Sequence, residues 1–309
     1  MAEQAIPLDD LDYQIPAQET MLQIVWKNFR RHPMGLIGAS ILLLIVLLSA
    51  FAFISPYDPD EINNSNRWQT PSWHHPFGTD KNGRDILTRV AYGGRVSLMV
   101  GVLSMATAAI LGTIIGGLAG FYGGQIDNVL MRLTDFFLCF PQLFVLLFLS
   151  FILRESHITF MQGGFGNIII VIGATSWMTM ARLVRATFLE LRESEFVKAA
   201  RSYGSNDLHI MVRHILPNAV GPVIVNSTMG TAWSILTESG LSFLGYGIQP
   251  PTASWGNMLQ DARATMGVYP WQTIFPGAMI FFTVIALNYV GDALRDALDP
   301  YKVVGQMRQ

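Results

Sequence analysis

Residues 195–217 read EFVKAARSYGSNDLHIMVRHILP, a charged stretch marked by alanines and a glycine and set between two long apolar blocks. From Glu190 to Arg213 there are eight formally charged side chains. At about 2.5 to 3.5 kcal/mol each near a bilayer centre they oppose insertion by more than about 20 kcal/mol. The segment therefore stays in water while its flanks do not. Helix is still open to it: Glu195 and Lys198 stand three apart, Ala199 and Ala200 are strong formers, and Gly204 suits a C-terminal cap. Ser205 or Asn206 can cap a second helix, which Pro217 is expected to stop. Two short helices meeting at a glycine make an angled unit whose small side chains, Ala199, Ala200 and Gly204, let another surface come close. The residues alone leave two readings open, a docking elbow and a solvated loop between spans.

The rest of the chain explains why such a segment needs water. Of 309 residues 51% are hydrophobic and 14% charged, against roughly 25% charged in a soluble domain, and the apolar residues gather in blocks. Six blocks reach the roughly 20 residues that cross a bilayer: 35–54, 96–120, 135–153, 165–183, 218–237 and 274–291. An all-α membrane protein with six transmembrane helices follows. Its Lys and Arg residues divide thirteen against seven in favour of the side holding both termini and the 184–217 loop. By the positive-inside rule that side is the cytoplasm. The expected organisation is a cytoplasmic tail over 1–34, a first helix over 35–54, an external loop over 55–95, a transmembrane core over 96–291 with external segment 238–273, and a cytoplasmic tail over 292–309. The first 24 residues hold Glu3, Asp9, Asp10, Asp12 and Glu19 and no Lys or Arg, unlike the basic start of a signal peptide, so an uncleaved solvated leader is expected.

Within the spans the middle is free of Asp, Glu, Lys and Arg; Asp135, Arg182, Glu238 and Asp292 stand at or beyond the ends. This argues against proton coupling inside the chain, which needs an ionisable group near midplane. Asn226 and Asn288 are the most polar side chains well inside spans, candidates for a substrate pathway or for bonds between helices. Gly112, Gly116 and Gly120 recur every fourth residue, a stripe expected to pack closely inside the subunit. Pro141, Pro222 and Pro276 bend helices without forbidding them. In the segment after Gly240, Trp255, Met258, Leu259 and Ala262 fall at helical spacing and suggest an amphipathic helix lying on the surface.

Other candidate chemistry is thin. His74 and His75 lack Cys or His partners at ligand spacing, so solvated loop residues and no metal site are expected. His209 and His214, five apart, do not share an α-helical face. Asp80, Arg84, Asp85 and Arg89 alternate in sign along a turn and helix and are expected to form a surface network. The lone Cys139 forms no internal disulfide. No GxxxxGK[ST] phosphate loop is present, so the chain carries no energy source of its own, and no nucleophile, base and orienting group converge as an enzyme requires.

The stretch KAARSYG followed by HILP resembles the cytoplasmic signature of ABC importer permeases, E-A-A, three residues, G, nine residues, I-x-L-P. Ala199, Ala200, Gly204, Leu216 and Pro217 keep their places; Lys198 stands where the signature has Glu, with Glu195 nearby, and His214 where it has Ile. WKNFRRHPMGLIGA (26–39), HPFGTDKNGRDILTRVAYGGRVSL (75–98), GFYGGQIDNVLMRLTDFFLCFP (120–141), ESGLSFLGYGIQPPTASWGNML (238–259) and GDALRDALDP (291–300) are similar to the oligopeptide, dipeptide and nickel importer permeases. The resemblance implies a non-catalytic, multi-pass subunit of the bacterial or archaeal cytoplasmic membrane that moves peptide by alternating access. It implies a related second permease, two cytoplasmic ATPases that bind ATP–Mg, and an external solute-binding protein, and no nucleic acid. The loop with Glu195, Lys198, Ala199, Ala200, Gly204, Leu216 and Pro217 would then be the ATPase-docking lever.

Overall fold

The computed structural model describes residues 21–154 and 164–298. The leader over 1–20 and the tail over 299–309 lie outside the described residues. The chain is helical: α1 (Met21–Arg31), α2 (Pro33–Ala50), α3 (Ile86–Tyr122), α4 (Gly124–Leu138), α5 (Gln142–Arg154), α6 (Phe165–Arg192), α7 (Glu195–Ser202), α8 (Asp207–His209), α9 (Leu216–Phe243), α10 (Trp255–Ala262) and α11 (Trp271–Ala297). Among the described residues five helices are long and apolar enough to cross a membrane, and α4 with α5 make a sixth span as a pair bent by 86°.

The span expected over 135–153 is thus two helices, and Pro141, expected to bend it, stands at the break. Pro141 has no N–H to continue α4 and biases the residue before it away from helix. The Cys139 N–H closes α4 onto the Asp135 and Phe136 carbonyls, and the Pro141 carbonyl accepts from Phe144 N at 3.0 Å to start α5.

Several helices overrun their apolar blocks, because a helix continues into water after its last lipid-facing residue. α3 begins at Ile86, ten residues before the expected span, where the Asp85 carboxylate accepts from Thr88 N at 2.8 Å. At about 1.5 Å per residue it is ~55 Å long against a hydrocarbon core of ~30 Å, so the expected loop over 55–95 ends in helix. In the same way α6 reaches Arg192 inside the expected 184–217 loop, α9 enters the 238–273 segment and α11 the 292–309 tail. α2 starts at Pro33 and ends at Ala50, four residues short of the expected end. Its last carbonyls accept from Arg95: Nε to Ser49 O at 2.7 Å and Nη2 to Ala50 O at 2.8 Å.

α3 and α6 form the centre, and the glycine stripe explains how. A Cβ on Gly112 would stand 2.6 Å from the Met180 Cβ, one on Gly120 2.6 Å from the Arg185 carbonyl oxygen, and one on Gly116 would strike the Ala181 carbonyl. Backbone meets backbone along this seam, with Met105, Ala108, Trp177, Met180, Val184 and Phe188 closing the core around it.

The bundle has two distinct ends. At one, which we call the elbow end, α7 and the turn after it pack below α3, α6 and α9, and Phe29 of α1 packs on Ala293 and Ala297 of α11. The described chain thus begins and ends on the side of the elbow. At the opposite, cap end, residues 51–85 and α10 cover the tops of α3 and α11. α10 does not lie on a surface as expected: Trp255, Gly256, Asn257, Met258 and Ala262 are buried, and the Trp255 ring N–H donates to the Val90 carbonyl at 2.9 Å. Its apolar face meets the protruding top of α3.

The charged network is likewise inside, a second correction. Asp80, Arg84, Asp85 and Arg89 are all buried. Arg84 bonds Asp80 at 2.7 Å and Asp261 of α10 at 3.2 Å, and Arg89 donates to the Pro59 carbonyl at 2.8 Å and to Asp60 at 3.2 Å. His75, expected in solvent, is buried with its ring nitrogen 2.9 Å from Asp85, whereas His74 is exposed. These charges satisfy one another because the loop folds back onto α10, a partner far away in sequence.

Candidate functional site

The elbow is built by two local rules. α7 closes in a Schellman motif, in which Gly204 N donates to Arg201 O at 2.9 Å and Ser205 N to Ala200 O at 3.2 Å. This needs Gly204 at φ +79°, in the left-handed region. Asn206, rather than Ser205, caps the next helix, its side-chain oxygen accepting from His209 N at 2.7 Å. Pro217 does not stop that helix. Ile210–Ile215 wind as a π-helix that runs directly into α9, and Pro217 stands in the first turn of α9, where a missing N–H is tolerated. The wider π winding also brings His209 and His214 onto one face, with ring centroids 5.5 Å apart, contrary to the expectation for an α-helix.

The elbow has two faces. Val197, Ala200, Ile210 and Ile215 are buried in the same cluster as Phe121, Phe188 and the α3–α6 seam. Outward stand Phe196, Tyr203, Leu208 and Val212, with Tyr203 91% and Leu208 69% exposed. Of the small residues expected on one docking surface, Ala199 and Gly204 are exposed, while Ala200 belongs to the core and Leu216 is half-buried against it. Glu195 and Lys198 pair at 3.3 Å in open solvent, a contact worth little by itself, and Pro217 is exposed. Above the elbow, Arg185 of α6 grips Asp127 of α4 with two nitrogens, Arg182 pairs with Asp135, and Arg192 donates to the Phe121 carbonyl at 3.1 Å. The last turns of α3 and the whole of α4 are thereby tied to α6.

At mid-depth the α4–α5 bend, α3, α6 and α9 line a partly open cavity of about 520 Å³. Its apolar wall includes Met105, Phe137, Phe140, Met178, Met229 and Trp233, and its polar groups are Gln142, Thr175, Ser176, Thr179 and Asn226; among the described residues no ionisable side chain lines it. The Ser176 hydroxyl has no hydrogen-bond partner among the described residues. Asn226 therefore faces this cavity. Asn288 does not line it and donates to the Val284 carbonyl of its own helix at 2.8 Å.

One polar centre escaped the sequence reading. Glu238, counted there as a span end, is fully buried near the end of α9 and accepts from Ser97 at 3.1 Å, Ser239 at 3.4 Å and Ser242 at 2.7 Å. Ser97 in turn accepts from Trp255 N at 3.2 Å, so the cluster joins α3, α9 and α10. Its one sequence signal is the ESGLS spacing, which puts a serine one helical turn after the glutamate.

A six-span bundle with a water-facing elbow under one end and an uncharged cavity at mid-depth has the build of a membrane permease. The comparisons give the family. Residues 112–303 match the model of the binding-protein-dependent transport system inner membrane component, and residues 20–71 that of the N-terminal TM domain of oligopeptide transport permease C. The oligopeptide transport system permease protein OppC of Bacillus subtilis is 38% identical over 89% of this chain and 90% of its own. The dipeptide transport system permease protein DppC of Alkalihalophilus pseudofirmus is 40% identical over 89% and 88%, and the glutathione transport system permease protein GsiD of Escherichia coli O157:H7 40% over 89% and 89%. A solved chain of the MetNI methionine ABC transporter in inward-facing conformations shares the fold, with TM-score 0.54 and 17% identity over 67% of this chain and 94% of that one. The chain belongs to the family of binding-protein-dependent transport system inner membrane components, and it is a multi-pass membrane subunit.

Proposed function

We propose that the chain is one of two membrane subunits of an ATP-driven importer that carries peptides into the cell by alternating access. The observation that carries this reading is the two-faced elbow, whose inner residues share one core with α3, α6 and α9 while Phe196, Tyr203, Leu208 and Val212 stand bare in solvent. Exposed apolar side chains held on a fixed turn are what a partner protein grips. In this reading the elbow faces the cytoplasm, and a partner ATPase holding ATP–Mg seats on it through Glu195, Lys198, Ala199, Gly204 and Pro217, with Ala200 and Leu216 anchoring it from within. A second permease completes the cavity, and an external solute-binding protein delivers cargo. ATP shifts the inward–outward equilibrium only through contacts that differ between the two states, and the elbow is where such contacts reach this chain.

Peptide as cargo is supported by the relatives, whose names share oligopeptide, dipeptide and glutathione transport. The cavity suits it: an uncharged wall discriminates little among side chains, and Asn226 offers an amide to a peptide backbone. Asn288 would join the pathway only through a different arrangement of α11. The test is purification of the tagged chain in mild detergent from its native membrane. Two ATPases and a second permease should accompany it, and the reconstituted assembly should import short peptides only with ATP. A purified chain that concentrates peptide alone rejects the reading.

A further inference from the structure

We propose that α1 carries a binding site for anionic phospholipid headgroups, formed by Lys27, Arg30 and Arg31 with Trp26 as its aromatic anchor. Its sequence, MLQIVWKNFRR, has three cations and no acidic residue. One face is already used: Ile24 and Phe29 are buried, Phe29 against Ala293 and Ala297 of α11. The opposite face presents Trp26, 61% exposed and stacked on Phe29, together with Lys27, Arg30 and Arg31, all exposed.

Position decides what meets this face. α1 is joined to α2 through His32, whose Nδ1 accepts from Gly35 N at 3.1 Å. The exposed apolar side chains of α2, those that contact lipid, begin at Met34, Leu36 and Ile37. Arg30 and Arg31 therefore stand about one helical turn, ~5 Å, from the first lipid-facing residues, at the level of headgroup phosphates. An indole at the same level is the usual interfacial anchor. On α11 beside it Arg295 is exposed, as are the acidic Asp292 and Asp296, Asp296 lying 3.6 Å from His32, and Asp296 and Lys27 each make a further contact. The choline of a zwitterionic headgroup brings its own positive charge to this cationic face, so phosphatidylglycerol or another anionic headgroup fits better than a zwitterionic one. Bound lipid would press α1 onto the last turn of α11. The competing occupant is the chain's own leader, with acidic residues at 3, 9, 10, 12 and 19.

The test uses the full chain in nanodiscs of phosphatidylcholine carrying an equal fraction of either brominated phosphatidylcholine or brominated phosphatidylglycerol. The Trp26 signal is the difference between wild type and Trp26→Phe. Brominated phosphatidylglycerol should quench it several-fold more than brominated phosphatidylcholine. That preference should fall by up to ~5-fold for each cation removed in Lys27→Gln, Arg30→Gln and Arg31→Gln, and persist in the charge-keeping Arg30→Lys, Arg31→Lys variant. Equal quenching by the two lipids overturns the proposal, as does a preference indifferent to the glutamine substitutions, or one that arises only after residues 2–20 are deleted. Should the glutamine variants aggregate, the wild-type comparison of the two lipids decides alone.

Discussion

Gly204 shows how much a single residue holds at the elbow. A Cβ there would meet nothing within 4 Å, so space does not require glycine; the φ of +79° does. An L-residue held in that region costs about 1–2 kcal/mol, borne locally by the cap. Gly204→Asp adds a carboxylate to the face proposed to receive the ATPase. We expect membrane level to change little, melting of the purified chain to fall by a few degrees as that strain requires, and peptide uptake by the assembled importer to fall roughly tenfold or more, the equivalent of about 1.4 kcal/mol at the coupling step. Gly204→Ala, strained but uncharged, should fall less. Normal uptake by Gly204→Asp at normal expression removes the lever. Glu238 is the converse case, a residue whose environment no spacing announces. Three of its hydroxyl partners sit on α9 and α3, and only the packing of those two helices turns a span-end glutamate into a buried one.

At the scale of elements, what was legible follows from how local each cause is. The spans, the cap at Gly204, the helix start after Ser205–Asn206 and the close-packed stripe in α3 were all readable, since each depends on a few neighbours in sequence. A bend at Pro141 was readable too, but its 86° size, the π turn before Pro217 and the burial of α10 were not, because each is decided by what the next helix packs against. The stripe supplies a sharp test. Gly116→Leu drives a side chain into the Ala181 backbone, and overpacking of this kind costs about 1–3 kcal/mol. Purified Gly116→Leu should melt several degrees lower and Gly116→Ala less so, while Leu118→Ala, on the partly exposed side of the same helix, should melt within about 0.5 kcal/mol of wild type. Equal melting of Gly116→Leu and Leu118→Ala would show that the seam tolerates separation.

For the whole molecule, the charge count and the fold bear on the same question from different sides. By the positive-inside rule the count predicts that the elbow lies on the cytoplasmic side. The fold adds that α1, the elbow and the last turn of α11 share one end, and that Trp73, fully exposed, stands with the 51–85 cap at the other. The chain's single cysteine, Cys139, is exposed, so Cys139→Ser gives a clean background for placing reporters at the two ends. On it, Tyr203→Cys should react with a membrane-impermeant maleimide only in inverted vesicles, and Trp73→Cys only in intact cells whose outer barrier has been opened. Labelling of Tyr203→Cys from outside would invert the bundle. It would put the elbow out of reach of any cytoplasmic ATPase, and the proposed coupling would fail whatever the relatives do.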